Sequence, residues 1–97
     1  MIDIYGIYPD PKSGFRCAGC EYIIKLCKEN DIQYNFIDVT KTDKVLDANI
    51  LDRDKIVELA ARAKFRTLRI TYPVIFESSE SNVALDIVNF KLKFNLN

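Results

Sequence analysis

Residues 2–8, IDIYGIY, alternate branched apolar positions with others and run into Pro9 and Pro11, which predicts a first strand ending in a turn. The loop PDPKSGFR then leads into a stretch where Cys20, Ile23, Ile24 and Cys27 fall at i, i+3, i+4 and i+7. Those positions share one face of a helix, predicted over residues 21–28 and extended backward by Cys20. Asn30 and Asp31 end it, and QYNFIDV at 33–39 alternates as a second strand. Two strands joined through a helix imply a parallel pair with a right-handed crossover.

Residues 40–51 are polar with scattered apolar positions and are expected to form a loop or an irregular helical turn. Asp52 is placed to cap a second amphipathic helix marked by Ile56, Val57, Leu59, Ala60 and Ala63. Thr71-Tyr72-Pro73 precedes a short apolar strand, Val74-Ile75-Phe76; proline is tolerated at a strand start, and an X-Pro bond there can be cis. Beyond it, ESSES reads as a turn, and NVALDIVNFKLKF mixes two periods. Leu85, Val88 and Leu92 suit a helix, whereas Phe90, Leu92 and Phe94 alternate as a strand does. The reading adopted is a short strand or turn near residue 80 followed by a closing helix.

Composition narrows the function classes. A chain of 97 residues suits one domain, 1–97, able to remove roughly 60 to 68% of its unfolded surface from water. With 48% apolar and 29% charged residues, neither disorder nor membrane insertion is suggested. No apolar run approaches the ~20 residues of a bilayer span, and MIDIYGIYPD lacks the basic and apolar regions of a secretion signal. Net charge is zero, which argues against a nucleic-acid binder, and the cluster Lys64, Arg66, Arg69 reads as a solvated face. The chain has no histidine, which removes Ser/His and Cys/His nucleophile pairs and most mixed zinc sites. Three cysteines without a secretion signal fit a reducing cytoplasm better than a disulfide-stapled scaffold.

Two of those cysteines lie in FRCAGCE. The C-x-x-C spacing alone is open to three readings: a redox pair, half a metal site, or two buried thiols. Its position between a strand and a helix favours the first. Open backbone amides and the positive helix end stabilise a thiolate at Cys17, with Arg16 adding a cation, and a thiol pKa of about 8.5 can fall to roughly 3.5–7.5 under such influences. Ala18 and Gly19 leave those amides accessible. Cys20 stands one turn along, placed to close a short disulfide ring with Cys17. A single-chain zinc site lacks its third and fourth ligands, since Cys27 points along the core face and is read as packing.

The succession of IDIYGIY, CAGC opening a helix, YNFIDV and TYPVIF resembles a glutaredoxin of the thioredoxin fold, and is especially similar to the small glutaredoxins and thioredoxins of bacteriophages. The resemblance spans residues 2–76. It implies an α/β thioredoxin-like fold, a central mixed four-stranded sheet flanked by helices. It implies that Cys17 is the nucleophile, Cys20 the resolving cysteine, and Tyr72-Pro73 a cis dipeptide whose main chain pairs with an extended substrate. Tyr8 would line the site, Arg16 and less directly Lys12 would meet a glutathione carboxylate, and Asp86 would stand for an acidic residue at the last helix. The chain departs from the family in two places: Ala-Gly replaces the usual Pro-Tyr between the cysteines, and SNVALDIV has no Gly-Gly pair.

The expected activity is therefore thiol–disulfide oxidoreduction on protein or glutathione mixed disulfides, with electron donation to ribonucleotide reductase implied by the family. No tightly bound cofactor and no metal are expected. Glutathione is the expected co-substrate, glutathione or a disulfide reductase the electron source, and a monomer in the cytoplasm (the host's, for a phage protein) the expected form, with neither nucleic acid nor membrane as partner. Two alternatives remain: a glutathione-dependent [2Fe-2S] module, and a redox-inactive adaptor of the same fold.

Overall fold

The computed structural model describes residues 1–8 and 17–96. The turn expected at Pro9 and Pro11, together with Lys12 and Arg16, lies outside the described residues. The described chain is mixed α/β, with three helices and two sheets.

Strand β1, Ile2–Gly6, is the central strand of the larger, three-stranded sheet. Strand β2, Tyr34–Asp38, runs parallel to it, with Ile2 opposite Tyr34 and Gly6 opposite Asp38. The connection is helix α1, Ala18–Glu29, whose stripe Cys20, Ile23, Ile24 and Cys27 is buried as the helical spacing requires. Asp31, at φ 53°, reverses the chain after α1, and the Ile32 amide donates to the Cys27 carbonyl. Strand β5, Val74–Phe76, pairs antiparallel on the other side of β1, with Tyr5 opposite Val74.

The expected fourth strand is reduced to a single bridge. Leu85 and Ile75 exchange both main-chain hydrogen bonds, at 2.8 and 3.0 Å, and the chain then turns into helix α3, Ile87–Lys93. The sheet is thus three-stranded with a one-residue edge, a correction to the four-stranded expectation. Residues 40–51 are a second correction. They form a hairpin of β3, Thr40–Asp43, and β4, Ala48–Leu51, instead of a loop or helical turn. Asp43 Oδ1 accepts from the amides of Val45 and Leu46, and Asp47 adopts φ 50°, so aspartates supply the turn that glycine often does.

Alternation along β1 divides the core. Ile2 and Ile4 pack with Ile23, Leu26, Cys27, Ile75 and Phe90, under α1 and α3. Tyr5 packs with Val39, Leu59, Val74 and Phe76, against helix α2, Arg53–Ala63, which Asp52 caps by accepting from the Asp54 amide. Helices therefore cover both faces of the sheet. Asp3, on the α2 side, is buried and paired with Arg62 at 2.9 Å.

Candidate functional site

Cys17 is the N-cap of α1. Its backbone is extended (φ −132°, ψ 94°), and its Sγ accepts the Cys20 amide at 3.2 Å, an orphan donor of the first turn. A sulfur thus performs the role usually given to a serine or aspartate oxygen. Cys17 and Cys20 are joined as a disulfide with their Cα atoms 5.2 Å apart. The two sulfurs differ in surroundings: Cys17 is half-buried, whereas Cys20 is fully buried and its Sγ faces the Ile7 amide at 3.5 Å.

Two glycines set this geometry. A Cβ at Gly6 would stand 2.7 Å from Cys20 Sγ and 3.2 Å from Phe36 Cζ, so only glycine lets β1 pass beneath the disulfide. A Cβ at Gly19 would stand 3.0 Å from Pro73 Cδ and 3.3 Å from Ile87 Cδ1. The start of α1 therefore lies directly against the Tyr72–Pro73 peptide, which is cis, and against the start of α3.

Tyr72, Pro73 and Asp86 line one cavity of about 280 Å³ with Thr71, Ile87 and Val88. Burial pushes the Tyr72 phenol above its ordinary pKa, and the side chain packs against the cluster of Tyr5, Val39 and Phe76. Among the described residues, the main chain of Tyr72 has no hydrogen-bond partner. Asp86 Oδ1 caps α3 by accepting the Asn89 amide at 2.7 Å.

Of the residues singled out in the sequence, the structure thus brings Cys17, Cys20, Tyr72, Pro73 and Asp86 around the start of α1. Tyr8 is not among the residues that line the cavity at the cis dipeptide. Its ring meets Phe36 edge-on at 5.3 Å and lines a separate cavity of about 460 Å³ with Glu21, Ile24, Lys25, Lys28 and Glu29. Arg16 lies outside the described residues. Gly6, the Ile7 amide and Val88 are parts of the site that the sequence reading does not include, and Gly19, read there as leaving amides open, proves also to be a contact with Pro73 and Ile87. A glycine inside an otherwise alternating strand was the one available signal, because it marks close approach of another group.

Cys27 is buried two turns along α1 from Cys20, on the same face. Burial pushes its thiol up to about 11, which makes it inert at neutral pH. Among the described residues, no helix is long and apolar enough to cross a membrane.

No family model matches the chain. Over 84 residues it is 39% identical to a protein of Enterobacteria phage T4 described as an uncharacterized 11.8 kDa protein in the Gp55-nrdG intergenic region. The match covers 84% of this chain and 76% of the phage protein. At that identity over that share of both chains, the protein belongs to the family of this phage T4 protein.

Proposed function

We propose that the protein is a glutaredoxin-type thiol–disulfide oxidoreductase with a thioredoxin-like fold, cycling between the Cys17–Cys20 disulfide and its dithiol. The observation that carries this reading is the asymmetry of the pair at the start of α1: a half-buried Cys17 sulfur that accepts a helix amide, and a fully buried Cys20. The amide and the helix end favour negative charge on Cys17, while burial disfavours it on Cys20. The fold reading is supported by the order β2-β1-β5 with Leu85 at the outer edge, and by helices on both faces. The phage source of the T4 relative agrees with the resemblance to small phage glutaredoxins.

In the reduced protein the Cys17 thiolate attacks one sulfur of a client disulfide. A Cys17–client bond forms, the client S–S bond breaks, and the departing thiolate takes a proton. Cys20 then gives up its proton and attacks Cys17 Sγ, which releases the second client thiol and leaves the disulfide seen here. Two electrons pass to the client. Two molecules of glutathione, leaving as glutathione disulfide, or a disulfide reductase return them. The Tyr72 main chain would hold the extended client or glutathione segment, with Pro73, Asp86, Arg16 and Tyr8 as flanking contacts. Ribonucleotide reductase is the client that the family resemblance implies.

Turnover of a glutathione mixed disulfide by wild type, Cys17→Ser and Cys20→Ser tests this. Loss of activity in Cys17→Ser is expected; full activity in that variant would overturn the mechanism. Activity kept in Cys20→Ser would assign a route through Cys17 alone.

A further inference from the structure

Residues 59–76 contain no aspartate or glutamate but four cations, Arg62, Lys64, Arg66 and Arg69, in a chain of zero net charge. Arg62 is turned inward and held by Asp3 and Tyr5. The other three are exposed, and none of them takes part in an ion pair among the described residues. Between them stand Phe65 and Leu68, exposed at 37% and 41%.

The strip adjoins the redox site through Phe65 and through the short chain length to Pro73. Lys64, at φ 60°, ends α2 and turns the chain so that the Phe65 amide donates to the Ala60 carbonyl at 2.9 Å. Phe65 then lines a cavity of about 240 Å³ together with Thr71, Pro73 and Asp86. At the far end Arg69 is four residues from Pro73, hence within roughly 14 Å along the chain. Pro73 in turn abuts Gly19, between the two cysteines.

We propose that Lys64, Phe65, Arg66, Leu68 and Arg69 form a docking strip for an acidic segment of a disulfide-bearing protein, delivering its disulfide to Cys17; this rests on the redox reading above. The pairing of cations with apolar side chains selects this occupant. Glutathione offers carboxylates but nothing apolar for Phe65 and Leu68, and a chain of zero net charge with three exposed cations on the strip is a poor match for a phosphate backbone. Opposite charge along the strip acts mainly on encounter rate and choice of partner.

The test uses disulfide-linked peptides of equal length that are glutamate-rich, serine-rich or lysine-rich, with dithiothreitol as reductant. The glutamate-rich peptide should be reduced with a kcat/KM roughly ten-fold above the lysine-rich one at low salt, from several exposed charge pairs. The gap should close near 1 M salt, where the screening length falls to about 3 Å. Arg66→Glu/Arg69→Glu, which leaves the turn at Lys64 intact, should remove or invert the preference and leave the serine-rich rate unchanged. Fluorescence anisotropy with the same peptides and the Cys17→Ser/Cys20→Ser protein reads docking without chemistry. Equal rates for all three peptides, or tighter binding of a single-stranded oligonucleotide than of the glutamate-rich peptide, would overturn the docking strip. Charge-selective binding without reduction of any peptide would overturn the redox reading alone.

Discussion

Arg62 Nη1 donates to Asp3 Oδ2 at 2.9 Å and joins α2 to the central strand within the interior. The same guanidinium donates to the carbonyls of Ser78, Ser79 and Ser81 and lies 3.9 Å from the Phe76 ring centroid. It thereby holds the turn that carries the chain from β5 to Leu85 and Asp86. Burial by itself would lower the pKa of Arg62, but the Tyr5 and Asp3 hydrogen bonds outweigh it and the net shift is upward, so the cation persists at every working pH. Arg62→Met should cost about 3–5 kcal/mol in urea unfolding, because Asp3 is left as an uncompensated buried carboxylate. Combining it with Asp3→Asn should cost less than the two single losses added together; strict additivity would show that the pair is not coupled.

A Cβ at Gly6 would stand 2.7 Å from Cys20 Sγ, a sulfur held in place by its bond to Cys17. Gly6→Ala is expected to destabilise the oxidised protein by about 1–3 kcal/mol, as overpacking does. The loss should shrink in the reduced protein, where the Cys20 thiol is no longer tied to Cys17. Thermal melts with and without dithiothreitol measure both values, and an equal loss in the two states would count against the close contact with the disulfide.

Cys27 supplies a pH signature. Its thiol titrates at about 11 in the folded chain against an ordinary value of 9.0 once unfolded. Between those values the unfolded chain has lost the proton that the native chain keeps, so stability should fall as pH rises from about 9 to about 11. Below that window the contribution is fully present. Cys27→Ala should flatten this part of the profile in denaturant titrations, whereas an unchanged slope would place the alkaline loss on another group.

How much of this was legible follows from which residues carry their own local signal. Asp52 and the apolar spacing after it placed α2 to the residue, and Val74-Ile75-Phe76 was readable because a proline precedes an apolar run. The hairpin at 40–51 was not readable, since its turn is made by Asp43 and Asp47 without glycine and its tip exposes Val45 and Leu46. Those two side chains meet solvent in the fold, so the segment carries no alternation of buried and exposed positions across its tip. The last strand failed for a different reason: Leu85 pairs through one residue only, too short to impose alternation on its neighbours. At the site, the cysteine spacing and the TYP segment were visible, but their contact through Gly19 depends on packing between distant segments, which no local pattern encodes. The apolar stripe of α1 reaches back only to Cys20, two residues inside the helix, while the placing of Cys17 just before the helix agrees with its position as N-cap.

The central claim is that Cys17 is the attacking sulfur of a redox pair and Cys20 its shielded partner. The most direct measurement is iodoacetamide alkylation of the fully reduced protein near pH 6, where an ordinary thiol is almost entirely protonated, with each cysteine followed by peptide mass mapping. Fast modification confined to Cys17, with Cys20 and Cys27 spared until the chain is unfolded, is the predicted result. Modification of Cys20 ahead of Cys17, or no faster reaction at Cys17 than at a free thiol in an unfolded peptide, would contradict it.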